Sequence, residues 1–168
     1  MGRSARWSTR HITTLHDLLG LEREVIAAYQ LAIDNIVDEP MTRDTIVSFQ
    51  ADQQRHVREL ESTLRTLGGA NTTMPPRSQQ LIRDEGSFER AAGTTQVLQL
   101  LKQNEELVVR RYQDALRDDL PAEVSDMVRR ACNDQLRHRA WIAARVDAFT
   151  RTSQYLSGRT RESRPSVH

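Results

Sequence analysis

Between Thr14 and Val37, apolar residues recur at Leu15, Leu18, Leu19, Val25, Ile26, Ala32, Ile33 and Ile36, the three-and-four spacing of one helical face. Asp38, Glu39 and Pro40 interrupt the pattern, and Thr42 is placed to cap a second helix with Ile46, Phe49, Val57, Leu60, Leu64 and Leu67 on its inner side. Gly68 and Gly69 are expected to stop it. Residues 70–93 hold Pro75, Pro76, Gly86 and Gly93 among short apolar pieces, so they predict a long crossing connection with one or two helical turns in it. A third helix is predicted from Thr95 to Arg117, with Leu98, Leu101, Val108, Ala115 and Leu116 facing inward. After a turn at Asp118–Pro121, a fourth follows from Ala122 to about Phe149, burying Val124, Val128, Ala131, Ile142, Val146 and Phe149. Two short links and one long central link predict an all-α four-helix bundle with one long crossover between helices two and three. The bundle is assigned to residues 14–151. A basic arm, 1–13, precedes it, and a Ser- and Arg-rich tail, 152–168, is expected to be disordered.

Polar residues break the apolar stripes where the core should lie, and they do so twice in the same way. Glu22 is followed by Tyr29 in helix one, and Glu105 by Tyr112 in helix three, 83 positions further on. Asp52-Gln53-Gln54-Arg55-His56 in helix two is matched by Asp134-Gln135-Leu136-Arg137-His138 in helix four, 82 positions further on. A near-constant offset marks an internal duplication or a strong structural two-fold. Seven residues make almost two helical turns, so Glu22 and Tyr29 share the inward face of Leu15, Leu18 and Val25. The same spacing sets Gln53 and His56 in line with Ile46, Phe49 and Leu60, and Gln135 and His138 in line with Val128, Ala131 and Ile142. Two buried carboxylates facing two imidazoles need a compensating charge. A metal ion supplies it. So does a network of Glu–His⁺ pairs closed by Gln amides and Tyr hydroxyls, and both solutions stay open.

Composition narrows the setting. At 168 residues with 38% apolar and 5% aromatic content, the chain suits one domain of slender helices sharing a narrow core. The longest apolar run, Val25 to Tyr29, is far too short to span a bilayer, and residues 1–20 hold no signal-peptide core, so a cytoplasmic protein is expected. Cys132, the single cysteine, excludes an intrachain disulfide and is expected to be a small core residue. A net charge of +1 argues against a dedicated nucleic-acid binder, although Arg3, Arg6 and Arg10 at one end and Arg151, Arg159, Arg161 and Arg164 at the other leave phosphate contacts open. Asp52, Asp134, Glu24, Glu61 and Glu106 are expected at the surface, His11 and His16 in solvent, and Trp7 and Trp141 in packing or interface roles. A homodimer is expected. The chain has no Gly-rich phosphate loop and no plausible Ser-His-Asp set.

The order of a glutamate on helix one, a three-spaced pair ending in His on helix two, a glutamate on helix three and another such pair on helix four resembles the di-iron carboxylate proteins of the ferritin and rubrerythrin superfamily, over residues 14–150. The second half, from Asp119-Leu120-Pro121-Ala122-Glu123-Val124 to Gln135 and His138, also looks like a bacterial family of ferritin-like bundles of unknown function. The resemblance implies metal ligands at Glu22, His56, Glu105 and His138, with Gln53, Gln135, Tyr29 and Tyr112 around them. It departs at Gln53 and Gln135, where the superfamily has glutamates. Two ferrous ions bring four positive charges, and two glutamates cancel only half, so a full di-iron ferroxidase centre is disfavoured. One divalent ion, Fe, Mn or Zn, would be neutralised by the same residues. Three functions follow as alternatives: a ferritin-like bundle binding at most one metal, without enzyme activity and with a stress-related or scaffolding role; a ferroxidase- or peroxidase-type oxidoreductase; and a nucleic-acid-associated protein like the miniature ferritins, acting through its Arg-rich ends.

Overall fold

The computed structural model describes residues 7–68, 81 and 84–162. Its helices are α1 (Thr9–Asn35), α2 (Pro40–Thr66), the single turn α3 (Glu85–Glu89), α4 (Thr94–Ala115) and α5 (Ala122–Glu162). Short links join α1 to α2 and α4 to α5, giving two helical hairpins. The hairpins meet mainly along α1 and α4, and α3 leans on α1. α3 falls within the predicted crossover, most of which lies outside the described residues.

The helix ends differ from the expected ones for identifiable reasons. α1 begins before Thr14 because Ser8 caps it: the Ser8 hydroxyl accepts from the His11 amide, and His11 Nδ1 accepts in turn from the Ser8 amide. His11 is therefore a capping residue rather than a free solvated one. α2 starts at Pro40, whose fixed φ suits a helix's first position, so Thr42 is not the cap. Thr42 is buried, and its hydroxyl accepts from Arg145 Nε at 3.0 Å. Gly68 at φ 73° ends α2 as expected.

α5 runs to Glu162, so the expected disordered tail is helical over residues 152–162. Its apolar stripe stops near Phe149, which is why periodicity loses it. Thr150, Thr152 and Ser157 instead turn their hydroxyls back to the carbonyls four residues before them, and residues 151–157 are exposed. Of the arginines at the ends, Arg10 pairs with Asp118 and Arg151 is exposed, while Arg3, Arg6 and Arg164 lie outside the described residues.

Most of the core that periodicity predicts is buried, although Ile26, Val57, Leu67, Leu116 and Phe149 are only partly covered. Leu15, Val25, Ala32, Ile46, Leu98, Leu101, Val108 and Ile142 are buried, as is Cys132. His16 and Glu24, expected in solvent, are buried too: α1 is flanked by α2, α4 and α3, which covers more of its circumference than a single inner face. Among the described residues no helix is long and apolar enough to cross a membrane. Leu101 sits at zero exposure and Leu156 at 60%. Leu101→Ala is expected to lower unfolding stability by about 2–5 kcal/mol and Leu156→Ala by less than about 0.5 kcal/mol, measured by urea titration.

Candidate functional site

The eight singled-out polar residues converge at mid-bundle. Glu22, Tyr29, Gln53, Glu105, Tyr112, Gln135 and His138 are wholly inaccessible, and His56 is nearly so. Periodicity placed them on inward faces, and packing of the two hairpins brings those faces together.

Their hydrogen bonds form one line across the bundle. His56 Nδ1 lies 3.2 Å from Glu22 Oε1, and that same oxygen accepts from the Gln135 amide at 2.9 Å and from the Tyr112 hydroxyl. Gln135 and Gln53 pair reciprocally, each side-chain amide donating to the other's carbonyl, at 2.7 and 2.9 Å. Gln53 also donates to His138 Nδ1 at 3.4 Å. Glu105 stands beside this line, accepting from the Tyr29 hydroxyl at 2.7 Å.

The outer nitrogen of each imidazole is held by an aspartate from the facing helix. His56 Nε2 meets Asp134 Oδ2 at 3.1 Å, and His138 Nε2 meets Asp52 Oδ2 at 3.0 Å. Two arginines close the ring: Arg55 bridges Asp52 and Asp134 at 2.7 and 2.6 Å, and Arg137 bridges the same two at 2.7 Å each. Asp52 and Asp134 are thus not simple surface charges; they hold the tautomer and angle of the two histidines while their other contacts reach solvent. The signal was present in the sequence, since the duplicated block is Asp-Gln-x-Arg-His and repeats the aspartate and arginine with the histidine.

The line is two-fold in geometry but not in charge. Burial opposes a charged His56, yet Glu22 and Asp134, one on each ring nitrogen, outweigh it and hold its pKa above the ordinary imidazole range. Burial dominates at His138 and takes it down to about 4 against the pull of Asp52. Burial, with the charge of Glu22 adding, pushes Glu105 up to about 8. Burial likewise raises both tyrosine hydroxyls, so they act as donors only.

A metal would have to fit this donor set. Two ions do not fit: the positions that would carry bridging glutamates hold carboxamides, and those amides are spent on each other. Among the described residues, no three His, Cys, Asp or Glu side chains stand ready as placed to hold one ion in common, so the expected quartet of Glu22, His56, Glu105 and His138 is not assembled as a cage. One ion does match the leftover chemistry. Glu22 Oε2 and Glu105 Oε2 are buried oxygens with no hydrogen-bond partner, and the two groups would balance a single divalent charge once Glu105 had lost its proton.

The shifts set the pH response of chelator-treated protein. Glu105 and His56, raised in the fold, contribute stability that is lost as pH climbs through their folded values; His138, lowered, contributes stability lost as pH falls from 6.5 toward 4. Below pH 6.5 Glu105 and His138 oppose each other, and above it Glu105 and His56 act together while His138 no longer contributes. Stability is expected to fall by about 2 kcal/mol from Glu105 alone between pH 6.5 and 8, and Glu105→Gln to flatten that limb. Urea midpoints across this range give the answer, and equal slopes in both proteins would contradict the assignment.

Comparison with known proteins agrees with this geometry. The ferritin-like domain family matches residues 10–148. Among solved structures, a ferritin-like, diiron-carboxylate protein from Bacillus anthracis str. Ames superposes with a TM-score of 0.64 at 20% identity, covering 83% of this chain and 99% of that one, a likeness of fold. A search of curated proteins returns no match. With most of its length matched and its hairpins arranged as that fold requires, the chain belongs to the ferritin-like domain family.

Proposed function

We propose that this ferritin-like protein binds one divalent metal ion at the Glu22 side of its centre, with Glu22, Glu105 and His56 as donors, rather than a redox pair. The observation that carries this is the pair of orphaned, fully buried oxygens, Glu22 Oε2 and Glu105 Oε2. An unpaired buried acceptor costs about 1–3 kcal/mol, and a cation that both glutamates turned to reach, once Glu105 had released its proton, would relieve that cost. His138 supports the site from outside it: its nitrogens meet Asp52 and Gln53 rather than either glutamate, whereas His56 Nδ1 lies 3.2 Å from Glu22 Oε1.

Binding one ion would require side chains to move. Glu105 must release its proton and His56 must offer a neutral Nδ1, so uptake would be coupled to proton release and strengthen as pH rises toward 8. The Bacillus anthracis protein of similar fold is described as a diiron-carboxylate protein, which supports metal binding as the kind of role a bundle of this fold can have. The carboxamides at Gln53 and Gln135 separate this chain from di-iron chemistry, because a ferric pair needs the anionic oxygens that they lack.

Protein purified after growth with iron, manganese and zinc is expected to carry about one equivalent of divalent metal per chain, and Glu22→Gln to lose it, by plasma mass spectrometry. Double substitution Gln53→Glu/Gln135→Glu is expected to raise the capacity to about two equivalents. Two equivalents in the wild type would instead favour a ferroxidase-type centre, and metal content equal to that of Glu22→Gln would leave the centre a purely hydrogen-bonded one.

A further inference from the structure

Among the described residues, the large apolar side chains left exposed all lie at one end of the bundle. Val37 is 84% exposed in the link from α1 to α2 and Met41 82% in the first turn of α2, with Val47 two turns further on. The other two, Tyr155 and Leu156, belong to the last turns of α5. Arg145 marks the level at which α5 leaves the bundle. Its guanidinium donates to Thr42 Oγ1 and Glu39 Oε2 at the start of α2, and nearby Asp38 accepts from Thr94 at the start of α4. From that level α5 runs on to Glu162, about 25 Å beyond the helices it packs on.

Such an extension is poorly supported by its own bonding. Helical segments shorter than about 12–15 residues are marginal in water unless one face is packed, and residues 151–157 are exposed throughout. Tyr155 and Leu156 follow Ala148 and Phe149 by seven residues, almost two turns, so they lie on the side of α5 that is half-buried lower down. Charge is divided at this end as well. Residues 34–44 hold Asp34, Asp38, Glu39 and Asp44 against Arg43, whereas residues 150–162 hold Arg151, Arg159 and Arg161 against Glu162.

We propose that this end is a docking surface for a second copy of the chain, with the two α5 extensions antiparallel and Tyr155 and Leu156 against their own counterparts. A two-fold arrangement of this kind is self-complementary. A register centred on Tyr155 sets residues 159–162 of one copy level with residues 148–151 of the other. The arginine-rich tip of each extension then comes over the acidic link of the other copy, where Val37 and Met41 are exposed. Patches of this extent make an interface of the small, weak class, so the copies separate on dilution, and a urea titration of dilute protein reads the single chain.

Sedimentation velocity of the full-length protein across a concentration series tests this. The wild type is expected to pass from monomer to dimer as concentration rises, and to associate severalfold more weakly when salt is raised from about 0.05 to about 0.5 M. Tyr155→Arg/Leu156→Asp, at two exposed positions far from the buried centre, is expected to stay monomeric with unchanged helical circular dichroism. Arg159→Glu/Arg161→Glu and Asp34→Lys/Asp44→Lys should each associate about tenfold more weakly or worse alone. An equimolar mixture of those two variants should recover the dimer, because each tip then meets a link of opposite charge. A wild type that is monomeric at every concentration, or a dimer that survives Tyr155→Arg/Leu156→Asp, would overturn the proposal. A mixture that stays monomeric would overturn the pairing of tip with link.

Discussion

Everything at the middle of this bundle follows from the cost of holding two carboxyl groups where no water reaches them. Glu22 and Glu105 have no accessible surface, and an isolated buried carboxylate costs several kcal/mol. The protein meets this cost in two ways. Glu22 gathers three donors on one oxygen, from Tyr112, His56 and Gln135. Glu105 has the Tyr29 hydroxyl as its close donor, and burial lifts it to about 8, so that at neutral pH it keeps a proton. Two matching positions thus hold two chemically unlike acids, because the partners around them differ.

The same demand shapes the surface above the centre. Asp52, Asp134, Arg55 and Arg137 form a closed ring of ion pairs between α2 and α5. Isolated surface pairs contribute little, but here each aspartate also fixes a buried imidazole, so the ring stabilises through what it orients rather than through its own Coulomb energy. The ring lets His56 lean toward a proton and His138 away from one without either ring turning.

Fold and inner site were both legible in the chain because each depends on periodicity. Glu22, Gln53, His56 and their counterparts break a hydrophobic stripe in step with it, and a polar residue on an apolar face has to point inward. What escaped was whatever depends on neighbours across the bundle. Asp52 sits on a face that looks solvated within α2, and its partner His138 is 86 residues away. His16 and Glu24 appear exposed until a third element covers α1. The last turns of α5 carry no apolar stripe at all, so a pattern method loses them although backbone bonding continues to Glu162. The stack of Phe49 on His138 was hidden for the same reason, since each half of it reads as ordinary core within its own helix.

The reciprocal amide pair has one more consequence. Gln53 and Gln135 are equivalent positions of the two halves, and each gives the other the bond it receives. That is the form of an isologous contact, in which a residue meets its own copy across a symmetry axis. Sliding α2 past α5 by one helical turn, about 5.4 Å, would part the amides and uncouple both histidines from their aspartates together. The pair therefore acts as a registration mark at the junction of the halves, of the kind that a helix pair assembling with a second copy of itself would need.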